Sequence, residues 1–542
     1  MGEVPSVGFG ALVMLLVVMA VSVWLGTQAQ KAVERGGFVK GYFLGNRGLG
    51  AWALALTATV QSGGTFMGFP SLVYTHGWSV ALWIASYMVV PLTGFAVLGK
   101  RFAQLSRRTG AITVPDLFDA RFGDRRVGLV ASILIMSFMT FLMIAQFKAG
   151  AIVMKLSWPG NGVLALSEDI GPAGIDQAYL LGLAIFSITV VGYTLIGGFL
   201  ASVWTDLFQS VLMVIGVVIL FLLIVPIGAA GAMRQPTLDA VAATGPDFAF
   251  GPGLLKAGKP LFLPLGAAIS FFFVWPIGGI GTPASMVRVM ACNSTDTLRR
   301  SIVLLSFYNM LIYLPLILIC ICGRALMPNV TPEDEIIPRL AIWSTRQWSG
   351  GSLVSGLILA APFGAVMATV STYLVVIASG VVRDIYQRFL RPRAGDAEIR
   401  RVSHAVMIVF GLIGVAANIR PVDFLQKLIV FSTMATAASF VAPALMLAFW
   451  RRATATGAMS AMVAGGLTIL ALFVCGPLLE NKGLFEPYEL FGFYPIVWGL
   501  AVSGTFGVLV SLLTTPPPAE LVSELFDAQP VGKRQPAGVA AG

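Results

Sequence analysis

Asp206 and Lys148 stand inside otherwise apolar stretches of this chain, where a charge is expensive and usually functional. Asp206 lies in VWTDLFQ and Lys148 in IAQFKAGAIVMK. A carboxylate at the start of an apolar helix either answers the helix dipole or attracts a cation. An isolated lysine either snorkels to an interface or turns its ammonium inward, where it suits a carboxylate solute. A third group is hydroxylic: Thr369, Ser371 and Thr372 follow Ala365 and Ala368 in GAVMATVSTYLVVIASG (Gly364–Gly380). Such hydroxyls either bond back to a carbonyl one turn earlier or offer oxygen to a hard cation. Carbonyl partners would come from a stretch that cannot be a regular helix, ATVQSGGTFMGFP (Ala58–Pro70), at Ala58 and Gln61.

These residues must be held by membrane-spanning helices. The 542 residues are 57% hydrophobic and 11% charged, with mean hydropathy +0.87; a soluble domain would carry about 25% charge. A soluble enzyme, a disordered chain and a nucleic-acid binder are thereby excluded, and four cysteines with two histidines supply neither a disulfide framework nor a histidine-built metal centre. A span needs about 20 apolar residues. Thirteen such stretches are expected, at 8–28, 49–75, 77–99, 128–156, 177–198, 203–229, 261–290, 301–326, 351–380, 403–420, 425–449, 457–477 and 493–514. The first has no basic residue before it and Lys31, Arg35, Lys40 and Arg47 after it, which argues for a retained span with its amino terminus outside. On that orientation 24 of the 35 Lys and Arg fall in inner segments, and the net charge of +10 reflects topology. The carboxy terminus is then cytoplasmic, in a multi-pass plasma-membrane protein.

Two spans are broken at bilayer depth: Ala58–Pro70 in the second, and FVWPIGGIGTP (Phe273–Pro283) in the seventh. Freed backbone groups in lipid cost several kcal/mol each unless they line a cavity or meet protein. A shift of five spans reverses direction, so 49–229 and 261–449 have the layout of inverted repeats, whose broken helices bind ion and solute at the midplane. The organisation expected is an amino-terminal helix and first cytoplasmic loop (1–48), the first repeat (49–229), and an extracellular loop (230–260). The second repeat (261–449), two further helices (450–514) and a disordered cytoplasmic tail (515–542) follow.

The chain resembles the solute:sodium symporter family, and looks most like its sodium/pantothenate branch. The resemblance runs from about Gly41 to Trp450. It is carried by GYFLGNRGLGAWALALTAT with SGGTFMGFPSLVY, by GGFLASVWTDLFQSVLM, GTPASMVRVM and CGRALMPN, and by LILAAPFGAVMATVST before RDIY. It implies an all-α polytopic fold with a five-plus-five inverted-repeat core. Sodium would be the coupling ion, held by backbone oxygens of Ala58, Gln61 and Ala365 and by side chains at Ala368 and Thr369. Members usually carry two adjacent hydroxyls at the last two places; alanine at 368 leaves this chain one oxygen short. Asp206 matches an acidic position that in some members forms a second sodium site or exit route, with Ser371 and Thr372 nearby. Ser62 and Thr65, flanking Gly63 and Gly64, match positions that hydrogen-bond a substrate carboxylate. Lys148 lies on the helix where sialic-acid members carry a cation, and Trp275 falls where proline-transporting members have a tryptophan.

Competing motifs fail on context. GFAVLGKR lacks the hydroxyl after its lysine and ends an apolar span, so it is no phosphate loop. No G-x-S-x-G elbow accompanies His76 and His404. The expectation is a non-enzymatic, sodium-coupled symporter that imports a small organic anion such as pantothenate or a monocarboxylate through a lipid bilayer. No nucleic acid or obligatory protein partner is called for. A proton-coupled symporter and a transporter-like sensor are the alternatives.

Overall fold

The computed structural model describes residues 8–33, 38–45, 49–58, 62–159, 176–227, 264–420 and 425–527. Gln61, the whole of the expected loop at 230–260 and the chain beyond 527 lie outside the described residues. The described residues are helical and contain no strand, only one isolated bridge between Leu49 and Cys292. In order, the helices are α1 (Phe9–Val33), α2 (Phe38–Leu44), α3 (Ala51–Ala58), α4 (Phe69–His76), α5 (Trp78–Met88), α6 (Lys100–Thr109) and α7 (Val114–Phe122). Then come α8 (Arg125–Ser157), α9 (Gln177–Ile227), α10 (Leu265–Val274), α11 (Pro283–Met290), α12 (Thr295–Leu326) and α13 (Ile336–Thr345). The chain continues through α14 (Gly351–Ser379), α15 (Asp396–Ala417), α16 (Leu425–Phe449), α17 (Ala455–Glu480), α18 (Pro495–Leu513) and α19 (Ala519–Phe526).

Local sequence explains the boundaries. Thr113 and Asp116 cap α7 reciprocally, Asp124 caps α8, Ser294 caps α12 and Thr454 caps α17. Gly198 interrupts α9 with φ 56° and ψ −138°, a conformation open to glycine alone, and a Cβ there would meet the Tyr42 ring at 2.6 Å. The expected boundary between the fifth and sixth spans, at 198, falls on this break.

Nine uninterrupted helices among the described residues are long and apolar enough to cross a membrane, ten if the bent pair Leu265–Gly281 and Pro283–Met290 is one span. The expected thirteen is not reached on this count. Its second and third stretches are broken into pieces too short to qualify, with π-helical runs at Gly64–Gly68 and Pro91–Gly99, and α9 counts once despite its kink.

Two helices form the centre. Within the most apolar stretch of Gly351–Leu390 and of α16, 83% of residues are buried inside the protein, against 28–50% for the other spans. α14 packs along α1, α8 and α9, and α16 along α8, α17 and α18. Both carry many small residues, as close packing requires where lipid offers no hydrophobic drive.

The tail departs from expectation. The stretch 515–527 is not wholly irregular, because α19 docks on a basic cluster. The guanidinium carbons of Arg101, Arg121 and Arg451 lie 4.9, 4.9 and 5.5 Å from the centroid of Phe526, and Arg451 pairs with Asp527 at 2.7 Å. Burial pushes the Arg121 guanidinium down to about 10, with Arg101 adding repulsion. The apolar positions of AELVSELF, invisible as a span, suffice for this local docking.

Candidate functional site

The two helix breaks and the two central helices enclose a cavity of about 110 Å³. Ser62, Gly64 and Thr65 contribute the wall from the second span, and Trp275, Gly279 and Thr282 the wall from the seventh. α3 ends at Ala58 and the next described residues are Ser62, which is irregular, and Gly63, which is helical, while 275–277 form a turn and Thr282 is extended. The polar atoms at the first break are tied locally. The Gly64 amide donates to Ser62 Oγ (3.1 Å), the Ser62 amide to Thr65 Oγ1 (3.2 Å), and Thr65 Oγ1 lies 3.1 Å from Tyr313 Oη. The Gly63 amide donates to Gln146 Oε1 at 2.7 Å, and a Cβ on Gly63 would sit 2.7 Å from Ala149 Cβ. Glycine is therefore required at 63 for close approach of α8.

Aromatic rings complete the walls. Trp83 stacks on Trp275 with centroids 6.0 Å apart; Tyr87 meets Trp275 at 5.3 Å and Tyr313 at 4.8 Å. Among the described residues, no Asp, Glu, Lys or Arg lines the cavity. Three buried polar atoms on its lining residues, Trp83 Nε1, Trp275 Nε1 and Gln426 Oε1, have no hydrogen-bond partner among the described residues. A buried donor without an acceptor costs roughly 1–3 kcal/mol, so an acceptor brought to either indole N–H would be stabilising.

Lys148 is not part of this wall. Its Nζ lies 3.8 Å from Asp334 Oδ2, and it borders a small separate cleft with Asn418 and Leu425. Burial raises the Asp334 carboxyl above its ordinary value and the lysine opposes that. The reason is helical geometry: Gln146 and Lys148, two residues apart, point about 200° apart around α8. The glutamine faces the cavity and the lysine faces the turn before α13. The expected meeting of Lys148 with an anion beside Ser62 and Thr65 is thus replaced by an ion pair with Asp334.

Ala365, Ala368 and Thr369 are buried on α14, and Thr369 donates to the Ala365 carbonyl at 2.8 Å. A Cβ on Gly63 would come within 3.3 Å of Val366, so the first break and this part of α14 are neighbours. α3 ends at Ala58, and Gln61 lies outside the described residues.

The largest surprise is Arg288 on α11. It is 1% exposed and pairs with Asp206 Oδ2, itself 2% exposed; it also donates to Thr372 Oγ1 at 2.5 Å and to the Thr57 carbonyl. Ser202 Oγ links Ser371 Oγ (3.0 Å) and Thr372 Oγ1 (3.2 Å) to the same cluster. Asp206, Ser371 and Thr372 do converge, but a guanidinium stands beside them. Arg288 is not among the candidate site residues of the sequence analysis. The signal was available: an arginine five residues into the apolar half-helix after Pro283. Gln146, Tyr87, Tyr313 and Gln426 were also missed, since single polar residues in spans carry no spacing pattern.

Known proteins resemble this chain in sequence and fold. The sodium/pantothenate symporters of Haemophilus influenzae and Escherichia coli are each 29% identical, over 86% and 90% of this chain and 90% and 92% of theirs. The osmoregulated proline transporter OpuE of Bacillus subtilis is 27% identical over 88% of this chain and 90% of its own. Among solved structures, a Na⁺-coupled sialic acid symporter, substrate-bound and outward-open, superposes with a TM-score of 0.66. It is 21% identical and covers 94% of this chain and 99% of its own. A nucleobase-cation-symport-1 family transporter in a closed conformation gives a TM-score of 0.50 at 13% identity, over 88% and 95%. These likenesses show the fold, and the profile of the sodium:solute symporter family matches residues 42–465, both helix breaks and both central helices included. With broken helices around an uncharged, donor-lined cavity and that match over most of its length, the chain belongs to the sodium:solute symporter family.

Proposed function

We propose that this protein imports a small organic carboxylate together with sodium, by alternating access around the central cavity. The observation that carries this reading is the pair of indole N–H groups, Trp83 Nε1 and Trp275 Nε1, that have no partner among the described residues, in a cavity to which those residues contribute no charged side chain. A carboxylate supplies acceptors to these donors and to the hydroxyls of Ser62, Thr65 and Tyr313. Its charge is balanced by the co-bound sodium instead of a lysine. Pantothenate and proline, the cargoes in the names of the relatives, both carry a carboxylate.

The sodium site is assigned to backbone oxygens of Ala58, Gln61 and Ala365 and to Thr369 Oγ1; Ala368 adds no side-chain oxygen. Sodium joining α14 to the first break fixes Ser62 to Thr65 in position, so that ion binding precedes and strengthens cargo binding. Lys148 acts through Asp334, holding α8 against the turn before α13. The basic excess supports an amino terminus outside and a cytoplasmic carboxy terminus in the plasma membrane, with 49–229 and 261–449 as inverted repeats that rock about the site.

The test is uptake into proteoliposomes under imposed gradients, after a thermal-shift screen of carboxylates with and without sodium. Uptake of a carboxylate that requires inward sodium supports the reading. Uptake indifferent to sodium and driven by a proton gradient overturns it. Charge movement gives the stoichiometry: one sodium with one monocarboxylate carries no net charge, so potential-driven uptake, at about 2.3 kcal/mol per charge per 100 mV, would report a second ion.

A further inference from the structure

A second cavity, of about 220 Å³, lies beside the first and shares two wall residues with it, Trp83 and Gln426. Its far wall is the loop between α17 and α18. The walls are apolar and aromatic, with Phe271, Phe473, Phe485 and Tyr494, and they carry two ammonium groups, Lys427 and Lys482. Each is already met by the loop's own acids. Lys427 Nζ pairs with Glu486 Oε1, and Lys482 Nζ lies 2.8 Å from Glu480 Oε2 and 3.6 Å from Glu489 Oε1.

The Glu486 carboxylate is held in the way a free carboxylate would be. One oxygen takes the lysine ammonium and the other accepts from the Gly483 amide at 3.0 Å. The Lys427 contact pulls the Glu486 carboxyl below its ordinary value. The pair is about one-third exposed on each side, 36% and 38%, so exchange with a dissolved anion carries little desolvation cost. The loop that delivers Glu486 is also strained. Asn481, Phe485 and Phe491 are the non-glycine residues with positive φ among those described, at 52°, 65° and 53°, and all three fall in it. Backbone of that kind persists only where surrounding contacts hold it, and it collects at ligand clamps. The contacts that hold it include Tyr488 N to Leu472 O (2.8 Å), Tyr494 N to Ser270 Oγ (3.0 Å), the Tyr494 ring on Phe271 at 4.7 Å, the Phe485 ring on Phe431 at 5.4 Å and the Phe491 ring on Trp498 at 5.9 Å.

We propose that this outer vestibule is a carboxylate-binding site in its own right, with Glu486 as a tethered stand-in for the cargo. An incoming small carboxylate with an apolar body displaces Glu486 from Lys427, lays its body on the aromatic wall, releases the strained loop, and passes Trp83 and Gln426 to the central cavity. The carboxylate nature of the cargo rests on the function proposed above; the exchange at Lys427 rests on the vestibule alone.

Two substitutions break the same ion pair and separate a receptor from a plain latch. Glu486→Gln removes the competing carboxylate and keeps the ammonium; Lys427→Gln removes the ammonium. Binding of radiolabelled pantothenate and of pyruvate to purified protein in sodium-free buffer is compared for wild type and both variants, with melting curves to confirm folding. Pantothenol, which lacks the carboxylate, is the control. The expected result is opposite shifts: affinity for the acids rises several-fold in Glu486→Gln and falls about tenfold in Lys427→Gln, the scale of one lost charged contact, while pantothenol is indifferent. Shifts of the same sign in both variants, an equal response of pantothenol, or no saturable acid binding in any of the three proteins overturns the proposal. Sodium-driven uptake is measured separately on wild type. Its absence would sink the transport reading, and the sodium-free comparison would still decide the vestibule.

Discussion

Replacing Asp206 or Arg288 tests the least expected part of the core. The two side chains are 2% and 1% exposed and touch one another, Thr372, Ser202 and the Thr57 carbonyl. Removing one partner of such a pair leaves the other charge uncompensated, at a cost of about 3–5 kcal/mol, whereas replacing both by neutral groups is often close to neutral. Asp206→Asn and Arg288→Gln should therefore each lower the melting temperature of the detergent-solubilised protein steeply. The double variant should recover much of the loss, with a coupling of up to about 3 kcal/mol. Asp206 Oδ1 has no hydrogen-bond partner among the described residues even in the intact pair. In Arg288→Gln the bare carboxylate and the hydroxyls of Ser202, Ser371 and Thr372 would need another cation. That variant alone should gain stability with sodium chloride over choline chloride. The assay is a melting series for the four proteins in both salts. If the double variant loses the sum of the two single losses, the pair is not a coupled unit and the reasoning fails.

Thr369→Ala removes the one side-chain oxygen assigned to the main sodium site and should abolish sodium-dependent uptake. Ala368→Ser should tighten apparent sodium affinity, by about 1.5–3 kcal/mol for a polar contact to a charge; sodium-titrated uptake at fixed pH checks both. Gly198→Ala meets both a positive φ and the Tyr42 ring, and should destabilise by at least about 1–3 kcal/mol, read as a drop in melting temperature. Phe526→Ala withdraws three guanidinium–ring contacts at about 0.5–1 kcal/mol each. It should free the tail for limited proteolysis after Pro518 while leaving sodium-free cargo binding intact. The Glu486 carboxyl is depressed below its ordinary 4.5, so its contribution is complete above that value and is lost as pH falls through the lower folded value. The melting difference between wild type and Glu486→Gln should stay constant from about pH 7 to about pH 5 and shrink only in stronger acid.

Composition and hydropathy alone determined that the chain is a helical membrane protein. The broken stretches at Ala58–Pro70 and Phe273–Pro283 pointed to where a site would be, because glycine, proline and hydroxyls at bilayer depth are tolerable only around a cavity. Those signals are local in sequence, and the motifs around them were enough to suggest the family. What required the tertiary structure was every question of facing and partnership. Hydropathy sums over a helix and does not say which side a residue occupies, so Gln146 and Lys148 could not be assigned to opposite faces of α8. Nor does it pair charges from distant segments: Asp206 with Arg288, Lys148 with Asp334, and Lys427 with Glu486 are 82, 186 and 59 positions apart. The sequence could offer Asp206 as a candidate cation site, but only the packing of α11 against α3 and α14 placed an arginine beside it. A buried charge is defined by its nearest counter-charge, and that is a property of the fold.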